Sequence, residues 1–274
     1  MKRLWMIALA SMLLTACSSD NMEEVEVMSE PTDVQMTFSP YEMSAMTRAA
    51  VSIADVLTKL DVWIYESGSE VTAIHQSALD AGFGSLTVTL DKAKTYTLYA
   101  VGHKADGATL SDGVISFTDD KVTHSMFYTT TFSPATTTSL SCLMTRIVAD
   151  FRLEITDEIP TSAVKFRFTI ASVFDRWNVT TGATHGIDRV STINYGGTSS
   201  IFNVYAIVTD AQTTHDILVE ALDENDGVLQ SHTFVDVPLR NGYKTNYRGT
   251  FFIDSPMSMN FTVNDWNEYE TIDF

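Results

Sequence analysis

Strict alternation of apolar and polar residues is the feature that most limits what this chain can become. In Ser85–Asp91 the apolar side chains are Leu86, Val88 and Leu90, with threonines between them. In Ala149–Ile155 the odd positions are apolar and the even positions charged, and Val164–Ile170 repeats the pattern on even positions. A period of two sends every apolar side chain of an extended strand to one face. A wet opposite face is what antiparallel sheets provide. Leu60–Tyr65, Thr95–Val101, Phe202–Val208, Ile217–Leu222, Thr250–Ile253 and Met257–Val263 are further strand candidates, and Ile53–Lys59 is the one modest helix candidate. The reading is an all-β chain.

Turn chemistry separates the strands. Asp223-Glu224-Asn225-Asp226-Gly227 falls between two apolar runs and reads as a hairpin loop with Gly227 free to take positive φ. Asn194–Gly197 and Glu66-Ser67-Gly68 look similar, and Ile159-Pro160 closes the strand at Ala149–Ile155 because proline cannot donate to a ladder. A Thr/Ser-rich stretch from Tyr128 to Ser141 lies near the middle. A boundary just after it divides the chain into two tandem antiparallel β-sandwich domains, residues 35–143 and 144–274, of transthyretin or immunoglobulin type.

The N-terminus adds an address. Lys2 and Arg3 precede a mainly apolar run from Leu4 to Leu14, which is too short to span a bilayer that needs about 20 helical residues. The run ends in Leu14-Thr15-Ala16-Cys17, which resembles the bacterial lipobox. Residues 1–16 then read as a lipoprotein signal peptide, and the Cys17 thiol as the site of a thioether lipid with palmitate-type acyl chains. Residues 17–34 read as a flexible acidic tether. The acidic stretch after Cys17 also resembles the export signal that sends some Bacteroidetes lipoproteins to the outer face of the outer membrane. A solvated linker with no address fits the same residues.

Charge and cysteine content narrow the partners. The chain carries 17 basic against 35 acidic residues, a formal charge of −18. Loss of Lys2 and Arg3 with the signal peptide makes that about −20. Such a surface repels nucleic acid and anionic headgroups, so membrane attachment falls to the lipid on Cys17. With Cys17 acylated only Cys142 remains, in an apolar context that makes it a small buried residue with no disulfide partner.

Catalytic and cofactor motifs are missing. The six histidines are scattered and form no close ligand pair such as HExxH, so no metal and no cofactor is expected. Gly82–Ser85 precedes a strand and is neither a phosphate cradle nor a nucleophile elbow. The acidic loop at Asp223–Gly227 has its glycine at the wrong place for an EF-hand and lacks the closing glutamate, which leaves a solvated hairpin. Carboxylates are abundant, but none is paired in an apolar segment that would raise a pKa for acid–base work. The expectation is a protein that is not an enzyme. Trp63 sits in a strand and reads as core. Trp177 and Trp266 fit either core or a sugar-stacking platform.

These segments together resemble a family. Lipobox, acidic tether and two β domains are the layout of the Bacteroidetes fimbrillin-like lipoproteins, the FimB/Mfa2 anchor and accessory subunits of type V pili. Leu60–Tyr65 looks like their first apolar strand. Leu143–Ala149 with the strand after it and Ile159-Pro160 resembles the opening of their second domain. Val237–Gly249 resembles their basic, Asn-containing turn into a late strand. The resemblance implies a structural cell-surface lipoprotein of the outer membrane, acting in cell adhesion and meeting other pilus subunits by β-strand exchange. It also implies proteolysis after an arginine, matched here by Arg48 in Thr47-Arg48-Ala49-Ala50. An anchor must keep Arg48 uncut, because cleavage there would release it from its lipid. Met257–Val263 and the acidic tail after it fit either a donor strand or the last strand of their own domain. The alternative reading is a surface glycan-binding β-sandwich lipoprotein, with Trp177, flanked by Arg176 and Asn178, as its contact residue.

Overall fold

The computed structural model describes residues 30–40, 52–253 and 259–265. The first sheet is built from β1 (Pro31–Pro40), β2 (Lys59–Glu66), β3 (Ser69–Ser77), β4 (Ser85–Asp91) and β5 (Tyr96–His103). A short hairpin, β6 (Ala108–Ser111) and β7 (Val114–Phe117), interrupts it before β8 (Met126–Phe132) and β9 (Ser139–Arg146). The seven strands lie in the order β3-β2-β5-β8-β9-β1-β4. The sheet curls, and β8 and β9 share only the pairs Met126↔Arg146 and Phe127↔Thr145. The curl brings its two edge strands together at one end. There the Gln76 amide on β3 accepts from Gly84 N–H at 3.0 Å and donates to Ser85 O at 2.9 Å.

The second half supplies β10 (Ala149–Ile155), β11 (Lys165–Asn178), β12 (Gly182–Asn194), β13 (Ile201–Ala206), β14 (Thr213–Leu222), β15 (Val228–Leu239), β16 (Tyr243–Gly249) and β17 (Met259–Asp265). One sheet runs β13-β10-β16-β17. The other runs β15-β14-β11-β7-β6, with β12 on the far edge of β11. The β6–β7 hairpin, early in sequence, therefore joins a late sheet through the pairs Trp177↔Ile115 and Asn178↔Val114.

Three apolar clusters hold the molecule. Val34, Met36, Phe38, Leu60, Ile64, Leu98 and Met144 fill the first sheet. Phe151, Phe166, Phe168, Phe202 and Phe234 fill the space between the later sheets. The third cluster joins residues from both halves, including Trp63, Val101, Ile115, Phe127, Val148 and Ile207. Each fully buried side chain of this size contributes roughly 1.5–3 kcal/mol. Trp63 is core, as expected, and so is Cys142, whose thiol burial pushes up to about 12.

Several expectations need correction. The first strand starts at Pro31, inside the expected tether, because Val34, Met36 and Phe38 alternate into the core. The helix is one turn, Ile53–Val56, with Ser52 as its cap, and Lys59 already opens β2. Much of the Thr/Ser-rich stretch forms β8 and β9, where β-branched threonine suits a pleated surface. Thr250–Ile253 is not a strand. The Asp157 carboxylate accepts from the N–H groups of Phe251, Phe252 and Ile253 at 2.7–3.0 Å and holds the segment in a bend. Asn194–Gly197 connects β12 to β13, strands of different sheets, and is not a hairpin turn. Asp223–Gly227 does turn β14 into β15, but the positive φ falls on Asp226 (62°). Gly227 is needed for close approach: a Cβ there would lie 2.8 Å from Asp223 Oδ2, while its N–H donates to Asp223 Oδ1 at 2.7 Å.

Candidate strand-exchange site

β1 is the element whose seating decides how this molecule could exchange strands. It runs parallel to β9, with Phe38 opposite Cys142 and Pro40 opposite Met144. On its other side it runs antiparallel to β4, with Val34 opposite Val88 and Met36 opposite Leu86. Val34, Met36 and Phe38 are at most 3% exposed, while the residues between them face solvent. Side chains pin the wet face as well: Thr89 Oγ1 donates to Asp33 Oδ1 at 2.6 Å, and Lys92 Nζ meets Glu30 at 3.1 Å. Removing β1 would bare two ladder edges and an apolar groove lined by Leu57, Leu60, Leu90, Cys142 and Met144. Asp33–Phe38 alternates as cleanly as the strands recognised from sequence, so the signal was present. It was masked by its place after an acidic leader.

Cys17 and Arg48, the lipid-bearing and processing candidates, lie outside the described residues, as does Trp266. β1 stands between Cys17 and Arg48 in the chain, so a cut at Arg48 would separate β1 and everything before it from the remainder. β17 pairs antiparallel with β16, from Tyr243↔Asp265 to Gly249↔Met259. Its Phe261 stacks on Tyr247 at 5.3 Å and stays 55% exposed.

Trp177 packs against the third apolar cluster, 6.0 Å from the Phe127 ring, with Gly182 beneath its indole. Its Nε1 is buried without an acceptor. A sugar platform offers a ring face to solvent, and this ring is turned toward the junction between the halves.

The buried polar groups serve the same junction. Arg189, missed in the sequence, is 7% exposed and donates to three carbonyls: Tyr205 at 3.0 Å, Asp120 at 2.9 Å and Val122 at 3.0 Å. Asp119 and Asp120 sit at φ 57° and 51°, so the guanidinium holds a strained loop of the first half on β12 and β13. The fold also brings histidines to carboxylates. Asp61 meets His75 Nδ1 and His103 Nε2, each at 2.6 Å, and Asp175 meets His185 Nδ1 at 2.7 Å. Among the described residues no group of three or more His, Cys, Asp or Glu is arranged to hold a metal ion. No helix among them is long and apolar enough to cross a membrane.

These features define a class: an all-β protein of curled, packed sheets, whose first described strand is sewn between two others. Over residues 28–271 the chain matches the family model of the fimbrillin-A associated anchor proteins Mfa1 and Mfa2, and it belongs to that family. Among solved structures it is similar to a candidate cell adhesion protein from Bacteroides ovatus, at 16% identity and TM-score 0.50, over 88% of this chain and 99% of that one. A second candidate adhesin from the same organism is 14% identical with TM-score 0.53, over 86% and 95%. A candidate polysaccharide-binding protein from Bacteroides thetaiotaomicron is 11% identical with TM-score 0.53, over 86% and 96%. At such identities the likeness shows the fold. No curated protein matches the sequence. Family membership makes the chain a structural, non-enzymatic protein of the cell surface and outer membrane, of the class engaged in cell adhesion and pilus assembly.

Proposed function

We propose that this chain is the lipid-held anchor or accessory subunit of a type V-like fimbria. It is attached to the outer membrane through Cys17 and joined to other subunits by strand addition. The chain divides into two β-sandwich units at the end of β9, a few residues beyond the expected boundary at 143, because Met144 still packs in the first core; the β6–β7 hairpin and the Arg189 contacts stitch the two together.

The observation that carries the reading is the seating of β1. It lies between Cys17 and Arg48 in sequence and between β4 and β9 in space. A lipid on Cys17 is then tied to the body of the protein through a two-sided ladder and three buried side chains. Cleavage after Arg48 would sever the covalent link and leave β1 held only by those contacts, so Arg48 stays uncut in an anchor. The glycan-binding alternative, with Trp177 as its contact residue, draws less support, because Trp177 is half-buried against the third apolar cluster.

The test is intact mass and N-terminal peptide mapping of the protein isolated from its native membrane. A diacylated or triacylated Cys17 on a chain continuous through Arg48 is the expected result. A new N-terminus at Ala49 overturns the anchor role and leaves a shaft or tip subunit. A chain beginning at Cys17 without lipid overturns the attachment.

A further inference from the structure

The outer edge of β4 is the second feature of the first sheet that asks for a partner. β4 ends the sheet order and, among the described residues, pairs only with β1. Phe38 N–H donates to Gly84 O at 2.7 Å. Continued along the β1–β4 register, antiparallel alternation turns the backbone groups of Leu86, Val88 and Leu90 toward β1. Those of Ser85, Thr87, Thr89 and Asp91 turn outward.

Both ends of this outer row are capped from within the molecule. Ser85 N–H donates to Gly82 O at 2.8 Å, and Ser85 O accepts from the Gln76 amide at 2.9 Å. Asp91 N–H donates to the Tyr96 hydroxyl at 3.1 Å, and Asp91 O accepts from Lys94 N–H at 3.3 Å. Between the caps, the N–H and C=O of Thr87 and Thr89 face outward, related by Val88 as a centre. The sequence around that centre, Leu86-Thr87-Val88-Thr89-Leu90, reads the same in both directions.

Natural edge strands are guarded by lysine, proline, charge or bulges. β4 has none of these between Ser85 and Leu90, and its register is unbroken. Three of the other edges are guarded, and the uncharged edge strand β13 lies against β12, whose Arg189 donates to Tyr205 O at 3.0 Å. β15 carries two register shifts and Pro238, β3 a register shift and Glu70, and β12 carries Asp188 and Arg189. In a chain of net charge −18, an uncharged edge lets a second copy approach without opposed carboxylates in the strand pair.

We infer that two copies of this chain pair β4 to β4, antiparallel about a two-fold axis at Val88, to form one continuous sheet. Thr87 of one copy exchanges both backbone hydrogen bonds with Thr89 of the other, and the reciprocal pair does the same. Leu86 lies opposite Leu90, and Val88 opposite its own counterpart. Threonine pairs and aliphatic pairs are favourable across strands, and the arrangement is the self-complementary contact that a two-fold axis demands.

The test uses the mature chain purified in detergent, followed by sedimentation over a range of concentrations, with cross-linking through one introduced cysteine, the native Cys142 being buried. The Val88 pair is the closely spaced, non-hydrogen-bonded kind, with Cα atoms about 4.5 Å apart, within disulfide range. Oxidised Val88→Cys is expected to yield a disulfide dimer, while Leu79→Cys, on a loop and 96% exposed, yields little. The double variant Thr87→Lys/Thr89→Lys opposes like charges and is expected to weaken the dimer at least tenfold, while a lysine at 89 still supplies a donor to the Asp33 carboxylate that Thr89 now serves, so the thermal transition of the monomer stays in place. The inference is overturned by a protein that stays monomeric at all concentrations, by equal cross-linking of the two cysteine variants, or by a dimer that the lysines do not weaken.

Discussion

The Nε–H of Arg146 donates to Nε2 of His124 at 2.9 Å, which fixes that imidazole as a neutral acceptor inside the junction. Burial, and then the Arg146 charge, lower its pKa from 6.5 to about 3. The unfolded chain takes up this proton below about pH 6.5 and the folded one does not. The His124 contribution is therefore complete above pH 6.5 and is lost as pH falls toward 3, by about 1.4 kcal/mol per unit. Asp150 works in the opposite sense. Burial raises its pKa to about 6, against the pull of Lys244, so stability rises as pH falls from about 6 to 3.8. The two slopes nearly cancel in the native protein. In Asp150→Asn the urea midpoint is expected to fall more steeply between pH 6 and 4 than in the native chain, and in His124→Gln to rise over the same range. Urea unfolding across pH 4–7.5 measures both.

The seating of β1 predicts a large cost for disturbing it. Phe38→Ala removes a ring that is 3% exposed and should destabilise by about 3–5 kcal/mol. A chain beginning at Ala49 should melt far below the full chain, and a synthetic peptide of residues 31–40 should restore part of the loss. Thermal denaturation with and without peptide measures this. An unchanged melting temperature for the shortened chain would show that β1 contributes little.

Arg189 predicts a local effect. Substitution by lysine keeps the charge but cannot reach the carbonyls of Asp120, Val122 and Tyr205 together. Arg189→Lys should cost roughly 2–5 kcal/mol through buried carbonyls left unpaired. Amide exchange should accelerate at residues 119–123 before it does in β10 or β11. Hydrogen exchange read by mass spectrometry distinguishes this from a uniform loss of stability.

Asp157 makes a similar prediction at the other end of the molecule. Its carboxylate is the common acceptor for three successive N–H groups, and they hold Phe251 in the core at 4% exposure. Asp157→Ala should cost about 2–4 kcal/mol, whereas Asp157→Asn, which keeps one acceptor oxygen, should cost less. Denaturant midpoints of the pair test the ranking.

What the sequence disclosed follows from local periodicity. Ser85–Asp91, Ala149–Ile155 and Val164–Ile170 are strands because a period of two is written in their own residues. The β6–β7 hairpin was not legible. Its four-residue strands are too short to carry a period, and its place is set by Trp177 and Asn178, some 60 positions downstream. Thr250–Ile253 looked like a strand because it is apolar. Asp157, nearly a hundred positions earlier, decides otherwise. Arg189 could not be singled out either. A lone arginine in an alternating segment looks like any solvated charge until the fold brings carbonyls from two other segments around it. The family pattern, spread over most of the chain, was readable where single sites were not.

The parallel pairing of β1 with β9 has a mechanical consequence. In the proposed anchor, a pull on a lipid at Cys17 is taken up along the axis of β1. Its ladder bonds to β9 and β4 lie across that axis. They are therefore loaded together in shear instead of peeling one after another. Under a steady drag on the fibre, the weakest link between cell and appendage is then expected to be elsewhere: the lipid leaving its bilayer, or the contact between subunits.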